Sequence, residues 1–169
     1  MNSSELSVTS PHLGRFAPSP TGPLHQGSLV AALASYLAVK SQGGQWLIRI
    51  EDLDPPREID GMAERQLAAL ESFGLVSDLP VLLQSRRSAL YDATLDDLLR
   101  QGKAFHCHCS RSQLAAGDGI HRQCLNTGGT GQASIRLRVP DSWIEFNDGL
   151  FGRQGQNLAR QVGDFVLKR

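Results

Sequence analysis

The chain has 169 residues, enough for one domain with a substantial core. Its 40% hydrophobic and 20% charged residues are the balance of an ordinary globular protein. Seventeen Lys and Arg offset seventeen Asp and Glu, which excludes a basic nucleic-acid footprint over the whole chain while leaving room for a local one. No charge-free apolar run approaches the ~18 residues of a membrane span, and the start MNSSELSVTSPHLG lacks the basic-then-apolar order of a secretory signal. A cytoplasmic protein with a polar tail over 1–13 is expected.

GRFA predicts a short strand that stops at Pro18. A helix is expected from Gln26 to about Lys40, with Leu29, Leu33, Tyr36 and Leu37 on one face. Alanines and Val39 fill most of the rest, so the helix is expected to be buried all round. Gly43-Gly44 end it. QWLIRIEDLD alternates, with Trp46, Ile48 and Ile50 on one face of a strand. Strand, turn, helix and strand make a βαβ unit with parallel neighbours.

Pro55-Pro56 exclude helix locally. Asp60 is the expected N-cap of a second helix with Met62, Leu67, Leu70 and Phe73 on its face and Gly74 as its stop. A third helix is expected from Ser85 to Arg100, with Tyr91, Leu95, Leu98 and Leu99 apolar, ended by Gly102. AFHCHC reads as extended, and Ser110 with Gln113 fits a capping box. LNTGGTGQ is a loop; it lacks the Lys-Ser/Thr of a phosphate-binding loop. ASIRLRV alternates, with Ala133, Ile135, Leu137 and Val139 on one side. WIEF-NDG-LFG reads as a hairpin with Asp148-Gly149 in its turn, and GDFVLKR as a final strand left without partners.

Two places carry chemistry. In an open α/β sheet, ligands sit beyond the carboxyl ends of the strands. The loop RFAPSPTGPLHQGS joins the first strand to its helix there. Its prolines make it stiff, Gly22 and Gly27 allow close approach, and His25 stands at a helix start suited to phosphate. A Pro-rich loop that merely caps a buried helix fits the composition equally well. Arg15 can hold a carboxylate bidentately and Glu51 an ammonium; each alone also suits a solvated surface position. Asp52 and Asp54 are expected to cap and pair around Pro55-Pro56, with Arg57 structural. The second place is CHCSRSQLAAGDGIHRQC. Cys107, Cys109, His121 and Cys124 make a tetrahedral zinc set, with His106 and His108 as alternative fourth ligands. Three cysteines confined to one segment suit a cytosolic metal site better than a disulfide framework, and three free thiols are the bland alternative.

RFAPSPTGPLHQGS, with His25-Gln26-Gly27-Ser28, resembles the His-Ile-Gly-His-like signature of class I aminoacyl-tRNA synthetases of the glutamyl type. WLIRIEDLDPPRE resembles the family's next block, which ends in Arg-Ile-Glu-Asp. GRFAPSPTG, EDLDPPRE and the cysteine cluster together resemble the glutamyl-Q tRNA(Asp) synthetase family, short paralogues without an anticodon-binding domain. The resemblance runs from about Gly14 to Arg169. It implies an α/β, Rossmann-like class I synthetase catalytic domain with a zinc-bearing insertion and its C-terminal part missing. The first half, 14–104, would hold the glutamate and ATP site, and 105–169 the zinc insertion and the start of a following sheet segment.

The implied activity is tRNA-independent activation of glutamate by ATP with Mg²⁺, then ligation of glutamate to queuosine in the anticodon of tRNA(Asp). Arg15, Phe16, Ala17, Pro18, Ser19 and Glu51 would bind glutamate; His25, Gly27 and Ser28 would bind ATP and serve catalysis. The family's zinc site has a tyrosine where this chain has His121, and one residue more before the last cysteine. A structural zinc and a monomer are implied. Because the family continues past GDFVLKR, the chain is expected to be weak or inactive alone. A fragment of an ordinary glutamyl-tRNA synthetase and a non-catalytic zinc-bearing RNA-binding relic remain alternatives.

Overall fold

The computed structural model describes residues 12–115, 119–124, 128–129 and 131–169. These fall into two compact units, one ending at Ala89 and one starting at Leu90.

In the first unit, β1 (Leu13–Phe16), α1 (Gln26–Lys40) and β2 (Gln45–Ile50) form the expected βαβ unit. The strands pair in parallel, from Leu13 opposite Gln45 to Phe16 opposite Ile48. The alternation in β2 buries Trp46, Ile48 and Ile50 and leaves Gln45, Leu47 and Arg49 half-buried. Trp46 is the hub. It is fully buried, its Nε1 donates to Ser35 Oγ of α1 at 2.9 Å, and it stacks on Phe16 and meets Tyr36 edge-on. Truncating so large a buried side chain costs about 3–5 kcal/mol. Gly14 lets β1 approach the helix: a Cβ there would lie 2.9 Å from Val39 Cγ1.

Strand β2 is central, with β3 (Leu82–Leu83) parallel on its other edge. Before β3 arrives, two side chains stand in for a strand. Ser77 Oγ accepts from Ile48 N–H at 3.1 Å, and Asp78 Oδ2 accepts from Trp46 N–H at 2.5 Å. Asp78 also takes a hydrogen bond from Lys40 at the end of α1.

Several expectations are corrected. Helix α1 buries only Ala32 and Val39, while Leu29 and Tyr36 pack against the core; Val30, Leu33 and Leu37 are exposed. A three-stranded sheet covers one stripe of a helix, whatever lies on its other faces. Pro55–Arg57 forms a 3₁₀ turn, because proline at the first positions of a turn lacks only N–H groups that have no partner there anyway. Helix α2 (Met62–Ser72) begins after Gly61, at φ +70°, so Asp60 is not its cap. Its buried face is Met62, Gln66 and Leu70, and Phe73 is exposed. The third helix, α3 (Ser88–Arg100), follows a separate 3₁₀ turn over Gln84–Arg87, and none of its residues is fully buried.

In the second unit, β4 (Ala104–Cys107), β5 (Ser134–Leu137) and β8 (Val166–Lys168) form an antiparallel sheet in the order β4-β5-β8. The final strand thus has a partner, contrary to expectation: Arg136 pairs with Val166 and Ile135 with Lys168. On β5 the buried residue is Arg136, opposite the face expected to be apolar. Helix α4 (Arg111–Ala115) has its capping box, with Ser110 N–H donating to Gln113 Oε1 and Gln113 N–H to Ser110 Oγ. The hairpin of β6 (Trp143–Asp148) and β7 (Gly152–Asn157) is solvent-exposed. Asp148 closes β6 and its Oδ1 accepts the N–H groups of Leu150 and Phe151 in the turn. A short helix α5 (Leu158–Gln161), not foreseen from the sequence, leads to β8. Of the loop expected over 125–132, residues 125–127 and 130 lie outside the described residues.

The hydrogen bonds from Lys40 and from Trp46 N–H hold the Asp78 carboxyl below its ordinary value of 3.8. A carboxyl depressed on folding contributes stability that is present above its unfolded pKa and is lost as pH falls through its folded pKa. Asp78→Asn is therefore expected to lower Tm at pH 7. The gap to the unmodified chain should shrink as pH falls below about 4, measured by thermal unfolding across pH 2–7.

Candidate active site and metal centre

The loop between β1 and α1 is pinned carbonyl by carbonyl. Pro18 O accepts from Glu51 N–H at 2.9 Å, Pro20 O from Ile59 N–H at 3.0 Å, and Ser19 O from Thr21 N–H at 2.9 Å. Gln66 Nε2 donates to both Ser19 O (3.0 Å) and Gly22 O (2.6 Å), cross-linking the two sides of the turn. Gln66 is 3% exposed, and its Oε1 is buried with no partner among the described residues. The stiffness supplied by the prolines is thus completed by a residue from α2 that the sequence reading did not single out.

His25 is the N-cap of α1. Its Nδ1 accepts from Ser28 N–H at 3.1 Å. An imidazole accepting at Nδ1 carries its proton on Nε2 when neutral, which makes Nε2 a donor. Gly27 leaves room for that ring: a Cβ there would sit 3.1 Å from His25 Cε1. Phe16, Ala17, Pro18, Ser19, His25, Gly27 and Ser28 all line one cleft of about 470 Å³, floored by Gln66 and Ala31.

Two predicted glutamate-binding residues stand apart from that cleft. Arg15 is exposed near the end of β1 and does not line it. Glu51 adjoins the loop through its N–H, but its carboxylate is held by Arg49 Nη2 at 2.5 Å. Of the two aspartates expected to cap and pair around Pro55-Pro56, Asp54 pairs there with Arg57, whereas Asp52 serves Ser85 instead. Asp52 accepts from the hydroxyl and N–H of Ser85; partial burial raises its pKa, and the Ser85 hydrogen bonds outweigh this and leave it lowered.

The second unit gathers Cys107, Cys109, His121 and Cys124, with one ligand atom from each lying within 4.8 Å of all the others. His121 joins the thiols; His106 and His108 do not belong to this group. Cys124 Sγ lies 3.9 Å from both Cys107 Sγ and Cys109 Sγ, and Cys107 Sγ lies 3.3 Å from His121 Nε2. Ligands about 2.3 Å from a tetrahedral zinc ion stand about 3.8 Å apart, so the donor set fits a metal ion of that type. His121 is 2% exposed and its Nδ1 meets Asp164 Oδ2 at 3.0 Å.

Parallel strands joined through a helix, with a cleft at the carboxyl end of the first strand and the start of the helix, make an open α/β domain with its cleft where ligands of such sheets sit. The chain belongs to the class I tRNA synthetase family of the E and Q type: the family model described as "tRNA synthetases class I (E and Q), catalytic domain" matches residues 13–166. The chain is 56% identical over 160 residues to a glutamyl-Q tRNA(Asp) synthetase of Xanthomonas campestris pv. campestris (strain 8004), covering 94% of this chain and 54% of the relative. A protein of the same name from Neisseria gonorrhoeae is 50% identical over 170 residues, covering 94% and 58%. The chain thus spans about half the length of the curated relatives it matches. Among solved structures, a glutamate tRNA ligase of Elizabethkingia meningosepticum in complex with its amino acid superposes with a TM-score of 0.76 at 29% identity, over 92% of this chain and 38% of that one. The glutamate–tRNA synthetase of Elizabethkingia anophelis gives 0.78 at 28%, over 94% and 39%. Among the described residues no helix is long and apolar enough to cross a membrane.

Gln66→Leu keeps the volume of the side chain but leaves two loop carbonyls without their donor. It is expected to cost about 1–3 kcal/mol in denaturant unfolding and to raise hydrogen exchange in residues 17–25. Gln66→Glu, which keeps length but not the donor, should behave alike.

Proposed function

We propose that the chain carries the glutamate- and ATP-binding half-site of a glutamyl-Q tRNA(Asp) synthetase. The observation that supports this best is the single cleft uniting Phe16 to Ser19 with His25, Gly27 and Ser28, beside a strand end that bears Glu51. The 49–56% identity to glutamyl-Q relatives favours this branch over ordinary glutamyl-tRNA synthetases, whose structures resemble the chain at 28–29%.

In the proposed reaction an oxygen of the glutamate α-carboxylate attacks the α-phosphorus of ATP. The bond from that phosphorus to the bridging oxygen breaks, and pyrophosphate leaves with Mg²⁺. Such chemistry needs positioning and charge stabilisation more than a protein base. His25 supplies an Nε2–H donor for a phosphoryl oxygen, fixed in tautomer by its bond to Ser28 N–H. Gly27 and Ser28 offer the start of α1 to the phosphates. The pinned loop 16–19 presents its backbone to glutamate. Arg15 holds a substrate carboxylate and Glu51 the ammonium, once Glu51 turns from Arg49. The adenylate then gives its glutamyl group to queuosine in tRNA(Asp), in the cytoplasm. Residues 14–104 carry this half-site, and 105–169 the metal-bearing insertion. Cys107, Cys109, His121 and Cys124 would hold zinc, which with four protein ligands serves as a structural cross-link.

The test is glutamate-dependent exchange of pyrophosphate into ATP without tRNA. The 169-residue chain alone is expected to exchange weakly, because it spans about half the length of its relatives and carries only part of the proposed site. Continued by the C-terminal portion of the Xanthomonas relative, it should exchange with glutamate but not with glutamine. His25→Ala in that chimera should cut exchange 10²-fold or more. No exchange by the chimera would overturn the proposed activity; strong exchange by the chain alone would overturn the half-site reading.

A further inference from the structure

The metal cluster is built around a carboxylate 43 positions from its histidine. The Asp164 carboxylate can only accept, so the 3.0 Å contact with His121 Nδ1 places the ring proton on Nδ1 and leaves the Nε2 lone pair facing the Cys107 thiol at 3.3 Å. The ring is thus held at both nitrogens, by Asp164 at Nδ1 and by Cys107 at Nε2, and Phe105 packs beside it at 5.7 Å between ring centroids. The two segments are also joined through the backbone. Asp164 N–H donates to His121 O at 2.8 Å, and His121 bridges Gly163 in parallel. The contact is close: a Cβ on Gly163, whose φ is +72°, would lie 2.4 Å from His121 O.

The other groups of Asp164 face the sheet. Its Oδ1 accepts from Val139 N–H at 2.9 Å, just past the end of β5, and its carbonyl accepts from Arg136 Nη1 at 2.7 Å. Phe165 O then accepts from Leu137 N–H, and Val166 pairs with Arg136 to begin β8. One residue thus touches both the metal-ligand set and the first rung of the last strand.

We propose that Asp164 is the positioning residue of the metal centre: its carboxylate holds His121 with Nε2 toward the thiolates, and so couples occupancy of the site to the seating of β8. The proposal rests on the metal reading of the four-residue cluster. Carboxylates that orient a metal-bound histidine in this way typically change metal affinity 10–100-fold when removed. Once a metal holds Nε2, the ring, Asp164 and the start of β8 form one chain of fixed contacts. Without a metal, the Nε2 end of the ring is left to a single weak sulfur hydrogen bond from Cys107.

The experiment is zinc competition against a chromophoric chelator on the full chain, with hydrogen exchange of residues 163–168 in apo and loaded forms. The unmodified chain should bind one zinc and gain protection in that segment. Asp164→Ala should lose about 10–100-fold in affinity and most of the gain in protection. Asp164→Asn, which keeps the shape but can serve only one of the two donors, should fall between. The decisive arm uses His121→Cys, which offers a four-thiolate site with no ring to orient. In that background Asp164→Ala should leave zinc affinity unchanged within a factor of about three. An equal loss with and without His121 would show that Asp164 acts through the fold alone and would overturn the proposal. So would wild-type affinity in Asp164→Ala. Failure of the unmodified chain to bind zinc would instead overturn the metal reading on which the proposal rests.

Discussion

The parallel pairing of β1 with β2 constrains everything else in the first unit. Parallel neighbours cannot be joined by a tight turn, so the chain must leave the carboxyl end of β1, cross the sheet as α1 and return. Trp46 locks that crossing. It sits at the start of β2, hydrogen-bonds to Ser35 of the helix and stacks on Phe16 of the neighbouring strand. The loop after β1 is consequently delivered to the one edge of the sheet where a ligand can meet strand end and helix start together.

Rigidity at that edge comes from complementary sources. Prolines restrict the loop backbone, and hydrogen bonds from Glu51, Ile59, Thr21 and Gln66 occupy its carbonyls. His25 uses Nδ1 to cap the helix, which leaves Nε2 without that duty. In the proposed site the cap and the phosphate donor are the same side chain, so the geometry of that site depends on the helix being formed.

Periodicity made the βαβ unit legible. Alternation marked the buried face of β2, and the stop at Pro18 followed by His25 marked the cleft. The Cys/His cluster that could hold a metal was legible from the spacing of its residues, including His121. Other features were not. The composition of α1 suggested burial all round, but composition does not say how wide a sheet the helix meets, and Leu33 and Leu37 are exposed. Gln66 left one signal: it lies between Met62 and Leu70 at helical spacing, a polar residue in the apolar stripe of α2. Asp164 left none, since its partners His121 and Val139 are 43 and 25 positions away and no local pattern encodes such contacts. The Arg49–Glu51 pair follows strand alternation, yet a carboxylate beside a substrate pocket reads the same whether or not an arginine holds it.

The proposed binding of an aminoacyl adenylate in the one cleft at the end of β1 and the start of α1 is tested most directly by a ¹H–¹⁵N NMR titration of the chain with a non-hydrolysable glutamyl-adenylate analogue. Saturable shifts are expected, concentrated in Phe16 to Ala31, with Gln66 Nε2–H moving among them and glutaminyl and aspartyl analogues binding more weakly. Saturable binding that leaves those amides unmoved, or shifts confined to residues after Leu90, would contradict it.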